Sequence, residues 1–245
     1  MYKHNNIYLV EYPKSGITFL SHLLGNIELE LINSSEVVTY FNNHMYIPDI
    51  HQMRGSVLNY SFKRSFIKSH FEYNSNYFFV IYLIRNPIDT LVSYYNFSIN
   101  EIGYNKTFLQ FLKDKSRGVL KLNKHIDSWA LTKDGAQRML WIKFEDLLQN
   151  TELIIRDIYL NLGLDLEKKI IQNAIKKSSL IEMKKQEELY RAYNKKYIQN
   201  FVGSTNKLKK EDIIDQESIK FIKKNISKNI LDFYPSLFEE YDNLF

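Results

Sequence analysis

Apolar residues follow two rhythms along the chain, and each rhythm predicts a different element. Residues 7–12, 65–70, 77–84 and 139–144 are short runs rich in β-branched and aromatic side chains and read as strands; 77–84 is apolar throughout, the mark of a strand covered on both faces. Between them, residues 16–26, 87–97, 107–115, 152–162 and 166–177 carry apolar positions at helical spacing. Leu122, His125, Ile126 and Trp129 share one face of a further helix, and Ile219, Ile222, Ile226, Ile230 and Phe233 continue a last one from Ser218. Residues 37–62, with Phe41, His44, Met45, Tyr46 and His51 among polar neighbours, keep no period and suit either a pocket lining or an irregular layer over the sheet. Strands alternating with helices predict an α/β fold, an open, mostly parallel sheet with helices on both faces. The 245 residues fit one domain, 1–245, with a C-terminal helical region from about 207 to 245 as part of it.

Pro13-Lys14-Ser15-Gly16 ends the first strand and a helix follows at once, giving a strand, a phosphate-sized loop and a helix. A helix that starts on such a loop aims unpaired N–H groups and the positive end of its dipole at one point, where Lys14, Ser15 and Thr18 add donors. The loop is therefore P-loop-like and suited to an oxyanion, although it is not a Walker A sequence, because Lys14 precedes Ser15-Gly16. Ligands of open parallel sheets sit at the carboxyl ends of the strands, so the loop, Lys68 and His70 after the second strand, and Arg85 after the third face one crevice. Ser93, two turns into the next helix, adds a hydroxyl; Asn86 caps that helix, Pro87 takes its first position and Asp89 its first turn. The cluster reads as a basic pocket for a multiply charged anion. Taken singly, each member has a structural role open to it: Arg85 pairing with Asp89 or Glu145, and His70 as a satisfied loop histidine.

Composition narrows the partners. With 44% hydrophobic and 25% charged residues the chain is globular rather than disordered, and 18 Tyr and 16 Phe against 8 Gly make its interior aromatic. A net charge of +5 suits an anionic ligand; without a concentrated patch or an aromatic-basic motif it does not point to nucleic acid. The absence of cysteine excludes disulfides, thiolate metal sites and a cysteine nucleophile, and His44 and His51 lack a third ligand at suitable spacing, so no metal is expected. Met1 is followed by polar residues and then the first strand, and no apolar run reaches membrane-spanning length, so a cytoplasmic protein without signal peptide or transmembrane segment is expected. Lys220, Lys223, Lys224 and Lys228 read as a solvated helix face.

The stretch Pro13-Lys14-Ser15-Gly16-Ile17-Thr18-Phe19 resembles the first signature of the sulfotransferases that use 3′-phosphoadenosine 5′-phosphosulfate (PAPS). Residues 85–97 resemble the second, R-N-P-x-D-x-x-V-S-x-Y-x-F, at nearly every fixed position. Lys68-Ser69-His70 is similar to the family's K-x-H, Phe144-Glu145-Asp146-Leu147 to its Y-E-D-L, and Ser178-Ser179-Leu180-Ile181-Glu182-Met183 to its T-S-F-x-x-M, all in the family's order. The resemblance implies that Lys14, Ser15, Gly16, Ile17 and Thr18 hold the 5′-phosphosulfate, with Lys14 stabilising the charge that builds on the bridging oxygen. It implies that Arg85 and Ser93 hold the 3′-phosphate, that Phe19 stacks on adenine, and that Phe144, Ser178 and Gly203 also belong to the nucleotide site. His70 is implied as the base that takes the proton of an acceptor hydroxyl attacking sulfur in line, with Lys68 beside the sulfuryl oxygens. The product would be 3′-phosphoadenosine 5′-phosphate, and no metal is needed.

The departures from this pattern are specific. Ile17 replaces a threonine, Phe144 a tyrosine and Leu180 a phenylalanine; Ile17 loses a hydroxyl but keeps its N–H, so weaker cofactor binding at most is expected. In place of R-K-G-x-x-G-x-W-K, residues 198–207 keep only Gly203 and Lys207 in register, so Lys195, Lys196 or Lys207 supplies charge to the 3′-phosphate or the loop closes differently. The acceptor is a hydroxyl of a small molecule or glycan, and the Lys, Asn and Ile bias puts a microbial carbohydrate first. No motif sets the oligomeric state. Two other readings fit part of the chain. A P-loop small-molecule kinase would have only Glu145 and Asp146 left for Mg²⁺, and a non-catalytic nucleotide-binding protein on the same fold suits the altered C-terminal segment but not the retention of His70 and Lys14.

Overall fold

The computed structural model describes residues 6–39, 41–51, 62–131, 138–193 and 208–242. Strands β1 (Asn6–Glu11), β2 (Ser65–Ser69), β3 (Phe79–Ile84) and β4 (Arg138–Lys143) form one fully parallel sheet in the order β2-β1-β3-β4. Parallel neighbours need long crossovers, and helices supply them. They are α1 (Ile17–Leu31) and α2 (Asn43–Tyr46) between β1 and β2, and α3 (Pro87–Ile102), α4 (Phe108–Leu112) and α5 (Val119–Ala130) between β3 and β4; α6 (Phe144–Gln149) and α7 (Thr151–Asn161) follow β4. After these come α8 (Lys168–Lys177), α9 (Leu180–Tyr193), α10 (Lys210–Ile213), α11 (Gln216–Asn225), α12 (Lys228–Phe233) and α13 (Glu239–Asp242). None of the described helices is long and apolar enough to cross a membrane.

The side chains of β1 and β3 alternate between two buried layers, which is why β3 is apolar at every position and β1 from Ile7 to Val10. Tyr8, Val10, Tyr82 and Ile84 point to a layer closed by Leu91 of α3, Phe111 of α4, Trp129 of α5 and Ile222 of α11. Leu9, Ile81 and Leu83 point to the opposite layer, with Leu20 and Leu24 of α1, Ile155 of α7 and Ile171 of α8. The C-terminal segment is thus built into the first layer, and Ile230, Leu237 and Tyr241 are buried there as well.

Several elements differ from the sequence reading: α3 runs on to Ile102 rather than ending at Phe97, and α9 is a helix that the spacing does not predict. Helix α1 runs on to Leu31 rather than stopping at Asn26, whose amide turns inward, accepts from Val38 N–H and donates to Ser178 Oγ. The single helix expected from Ser218 to Phe233 is two, because Ile226 is extended (φ −67°, ψ 142°) and α12 restarts after Ser227. Helix α5 grips that break: Asn123 donates to Asn225 O and accepts from Ser227 N–H, and Asp127 accepts from Ser227 Oγ and Asn229 Nδ2. Of the unassigned stretch 37–62, the part from 41 to 51 forms an irregular layer, with Pro48 O accepting from Lys68 N–H and Ile50 N–H donating to Lys68 O, which covers the open edge of β2.

Strand β2 is held in place by a buried charge. Glu28 Oε1 on α1 accepts from Arg64 Nε at 2.6 Å and from Tyr159 Oη of α7 at 2.8 Å, and the Glu28 side chain is only 2% exposed. Removing one partner leaves a carboxylate without its counter-charge. Arg64→Met is expected to lower the unfolding free energy by about 3 kcal/mol in chemical denaturation, and Glu28→Leu in the same chain to recover most of it.

Candidate active site

At the carboxyl end of β1 the chain reverses within a few residues. Ser15 donates to Tyr12 O from both its N–H (3.2 Å) and its hydroxyl (2.8 Å), and the reversal puts Lys14 (φ 77°) and Gly16 (φ 111°) in the left-handed region. At Gly16 the choice is also steric, because a Cβ there would lie 2.4 Å from the ring of Phe144. Gly16 caps α1 without a side chain over its first amides, so the loop presents backbone donors, the hydroxyl of Thr18 and the ammonium of Lys14 at a helix start. Lys14 Nζ lies 4.6 Å from the centre of the Phe97 ring, one helix away on α3. Not every donor is open to a ligand: besides the two of Ser15, Ile17 N–H is given to Glu11 Oε2 at 2.7 Å.

Arg85, half-buried at the end of β3, reaches this loop directly. Its Nη1 donates to Lys14 O at 3.4 Å and its guanidinium lies 5.2 Å from the centre of the Phe144 ring, which in turn meets Phe19 edge-on. Arg85 pairs with neither Asp89 nor Glu145 among the described residues. Asp89 is bound to Lys210 Nζ at 3.2 Å, and Glu145 accepts from Asn86 N–H and from Tyr234 Oη. Its charge is therefore left for the crevice. Ser93 is half-buried two turns further along α3.

The next strand supplies the rest. Register pairs Leu9 with Lys68, so Lys68 and His70 share the sheet face of Leu9 and Glu11. Lys68 Nζ is 3.4 Å from Asn43 Oδ1, and burial pulls its ammonium below the usual lysine range. His70 Nδ1 is 3.3 Å from Glu11 O, and a carbonyl only accepts, so the proton is on Nδ1 and the lone pair on Nε2. Its backbone is fixed on both sides: the N–H donates to His51 Nε2, and the carbonyl accepts from His125 Nε2, whose other ring nitrogen is held by Tyr82. Burial keeps His125 neutral, with its pKa down at about 3, and lowers that of His70 from its ordinary value. With a side chain 26% exposed, His70 stays within reach of a solute.

Lys14, Ser15, Gly16, Thr18, Phe19, Lys68, His70, Arg85 and Phe144 thus sit at or next to the carboxyl ends of four adjacent strands, β2-β1-β3-β4, with Ser93 two turns into α3. Ile17 is there too, but its N–H faces Glu11 instead of the crevice. Ser178, at the end of α8, is fully buried with its hydroxyl on Asn26, and Gly203 lies outside the described residues. Sequence reasoning passed over Glu11, a carboxyl 2% exposed that burial pushes up to about 8. The available signal was a lone acid ending an otherwise apolar strand. Asn43 and His51 gave none, since their roles depend on how residues 41–51 cover the sheet edge.

The arrangement is a cationic cradle with a neutral imidazole at its rim, suited to holding a polyanion beside a hydroxyl. A family model described as a sulfotransferase domain matches residues 4–234. The chain is 24% identical over 191 residues to sulfotransferase 4A1 of Mus musculus (70% of this chain, 64% of that protein) and 27% over 202 residues to sulfotransferase 1E1 of Bos taurus (74% and 66%). It therefore spans less than two thirds of the length of these curated relatives. Among solved structures, the fold is similar to retinol dehydratase in complex with androsterone and the inactive cofactor PAP (TM-score 0.63, 20% identity, 91% of this chain and 81% of that one). It is also similar to a mouse sulfotransferase complexed with PAP (TM-score 0.55, 19% identity, 97% and 84%).

The loop geometry predicts a double-mutant result. Gly16→Ala is expected to lower the thermal midpoint through both the left-handed backbone, about 1–2 kcal/mol, and the clash with Phe144. Phe144→Ala in the same chain should remove only the clash, so the two changes together should cost less than the sum of each alone.

Proposed function

The chain belongs to the sulfotransferase family, and on that premise we propose that it moves a sulfuryl group from PAPS to the hydroxyl of a small molecule or glycan. The observation that carries this reading is the direct reach of Arg85, from the end of β3, to the carbonyl of Lys14 in the loop after β1, with His70 held on the carbonyl of Glu11 at the end of β1. Two phosphate-binding elements are thereby joined around one crevice. The donor set fits a nucleotide with phosphate at both ends. Lys14, Thr18 and the loop amides form the seat for the 5′ side, and Arg85 with Ser93 forms the seat for the 3′-phosphate, where a planar guanidinium donates to two oxygens at once. Phe19 and Phe144 offer the apolar faces an adenine needs. When bound, the nucleotide supplies the sulfuryl group.

The remaining work falls to this chain's own side chains. His70, fixed as the Nδ1–H tautomer by Glu11 O, presents Nε2 to the acceptor hydroxyl and takes its proton as the oxygen attacks. A pKa lowered by burial keeps that nitrogen unprotonated at neutral pH, so the base is ready below pH 7 and weakens only as pH falls through the depressed value. Lys68, on the same face of the sheet, and Lys14 set positive charge where oxygen charge grows. The acceptor is proposed as a hydroxyl compound of microbial surface carbohydrate, following the composition of the chain.

Calorimetric titration with 3′-phosphoadenosine 5′-phosphate tests the donor half of this reading. Wild type is expected to bind it, Arg85→Ala to bind about 10- to 100-fold more weakly, and ATP with Mg²⁺ to compete poorly. Preference for ATP with Mg²⁺ would move the chain to the kinases. His70→Gln should keep nucleotide affinity and lower sulfuryl transfer by about 10²- to 10⁴-fold, read as release of the bisphosphate in the presence of a panel of phenols, sterols and sugars.

A further inference from the structure

Glu11 stands in an unusual place for an acid. It ends β1 directly beneath the loop, is 2% exposed, and gives one carboxyl oxygen to Ile17 N–H at 2.7 Å, the first amide of α1. The other oxygen lies 3.9 Å from His70 Nδ1. Lys14 lies above it in the loop, Lys68 beside it on β2, and the buried Tyr82 on β3; Asp49 stands behind Lys68 and His70, and His51 behind His70. An ionised carboxylate here would occupy the electrostatic seat that a phosphate needs, since both would draw on the same loop amides and the same two lysines.

We propose that Glu11 is a working part of the anion cradle as an uncharged acid: its carboxyl holds the Ile17 amide from below without opposing the ligand, and nucleotide binding draws a proton onto it whenever it is ionised. This rests on the reading of the crevice as the nucleotide site. The bond to Ile17 survives either charge state, because a neutral carboxyl still accepts through its carbonyl oxygen. What changes is the field at the loop. Burial already favours the neutral form, holding the pKa at about 8 against the lowering influence of the Ile17 amide, Lys14 and Lys68. A polyanion a few ångströms away raises it further, so the liganded protein binds more protons than the free one above that pH. Affinity for the nucleotide is then level below about pH 8 and falls above it, approaching tenfold per pH unit.

The test is calorimetric titration of the full chain with 3′-phosphoadenosine 5′-phosphate from about pH 6.5 to 9.5, in buffers of different ionisation enthalpy, so that proton uptake is read directly. Wild type is expected to take up a proton above about pH 8 and lose affinity there, and Glu11→Gln, which copies the neutral acid, to hold its affinity to higher pH. Lys68, also buried, gains protons in the same direction, so Lys68→Met is the second arm: uptake that persists in Lys68→Met belongs to Glu11 and needs no folded Glu11 variant. Uptake that persists in Glu11→Gln and vanishes in Lys68→Met overturns the proposal, as does binding with no proton uptake. Absence of binding at every pH removes the nucleotide reading itself, a result distinct from pH-independent binding, which removes only the role of Glu11.

Discussion

The hydrogen bond from Ile17 N–H to Glu11 Oε2 ties the last residue of β1 to the first of α1 across a reversal only six residues long in sequence separation. A chain turning that sharply needs residues that accept positive φ, and Lys14 and Gly16 take that conformation. It also needs room, and the ring of Phe144 closes over Gly16 so tightly that only a hydrogen fits. The loop is therefore shaped before any ligand arrives. A pre-shaped cradle costs less entropy to fill than one that must be ordered on binding.

The sheet does the gathering. Because β2, β1 and β3 are adjacent and parallel, whatever follows each strand emerges at one edge: Lys68 and His70 after or within β2, the loop after β1, Arg85 after β3. The buried Glu28–Arg64–Tyr159 contact holds β2, and so indirectly His70, against α1 and α7. On the other layer His125 and Tyr82 form a relay of hydrogen bonds to the His70 carbonyl, so the imidazole is fixed through its backbone as well as its ring. Rigid support of this kind is what a base needs if its proton is to stay on the far nitrogen.

Much of this was legible in the chain. Apolar runs and helical spacing marked all four strands and the helices packed on the sheet, because a sheet covered on both faces leaves a strong local pattern; α9, with only Met183 and Glu187 buried, carries no such pattern and is missing from the sequence reading. The loop and the R-N-P run were legible for a different reason: their chemistry is carried by neighbours in sequence. What escaped depended on distant partners. The end of α1 was placed too early because Asn26 is a stop signal only when its side chain is free to cap, and here it is bound to Val38 and Ser178. The split between α11 and α12 is imposed by Asn123 and Asp127, a hundred residues upstream in sequence. Glu11 was visible as a letter and invisible as a function, since only the fold shows that its carboxyl lies under the loop beside His70.

The proposed nucleotide site is one crevice, between the loop after β1 and the end of β3, that takes both phosphates. A crystal structure of the full chain soaked with 3′-phosphoadenosine 5′-phosphate tests it most directly. The 5′-phosphate is expected against the loop of Lys14, Ser15, Gly16 and Thr18, and the 3′-phosphate on the guanidinium of Arg85. Nucleotide density away from Arg85, or a phosphate seated elsewhere than on that loop, would contradict it.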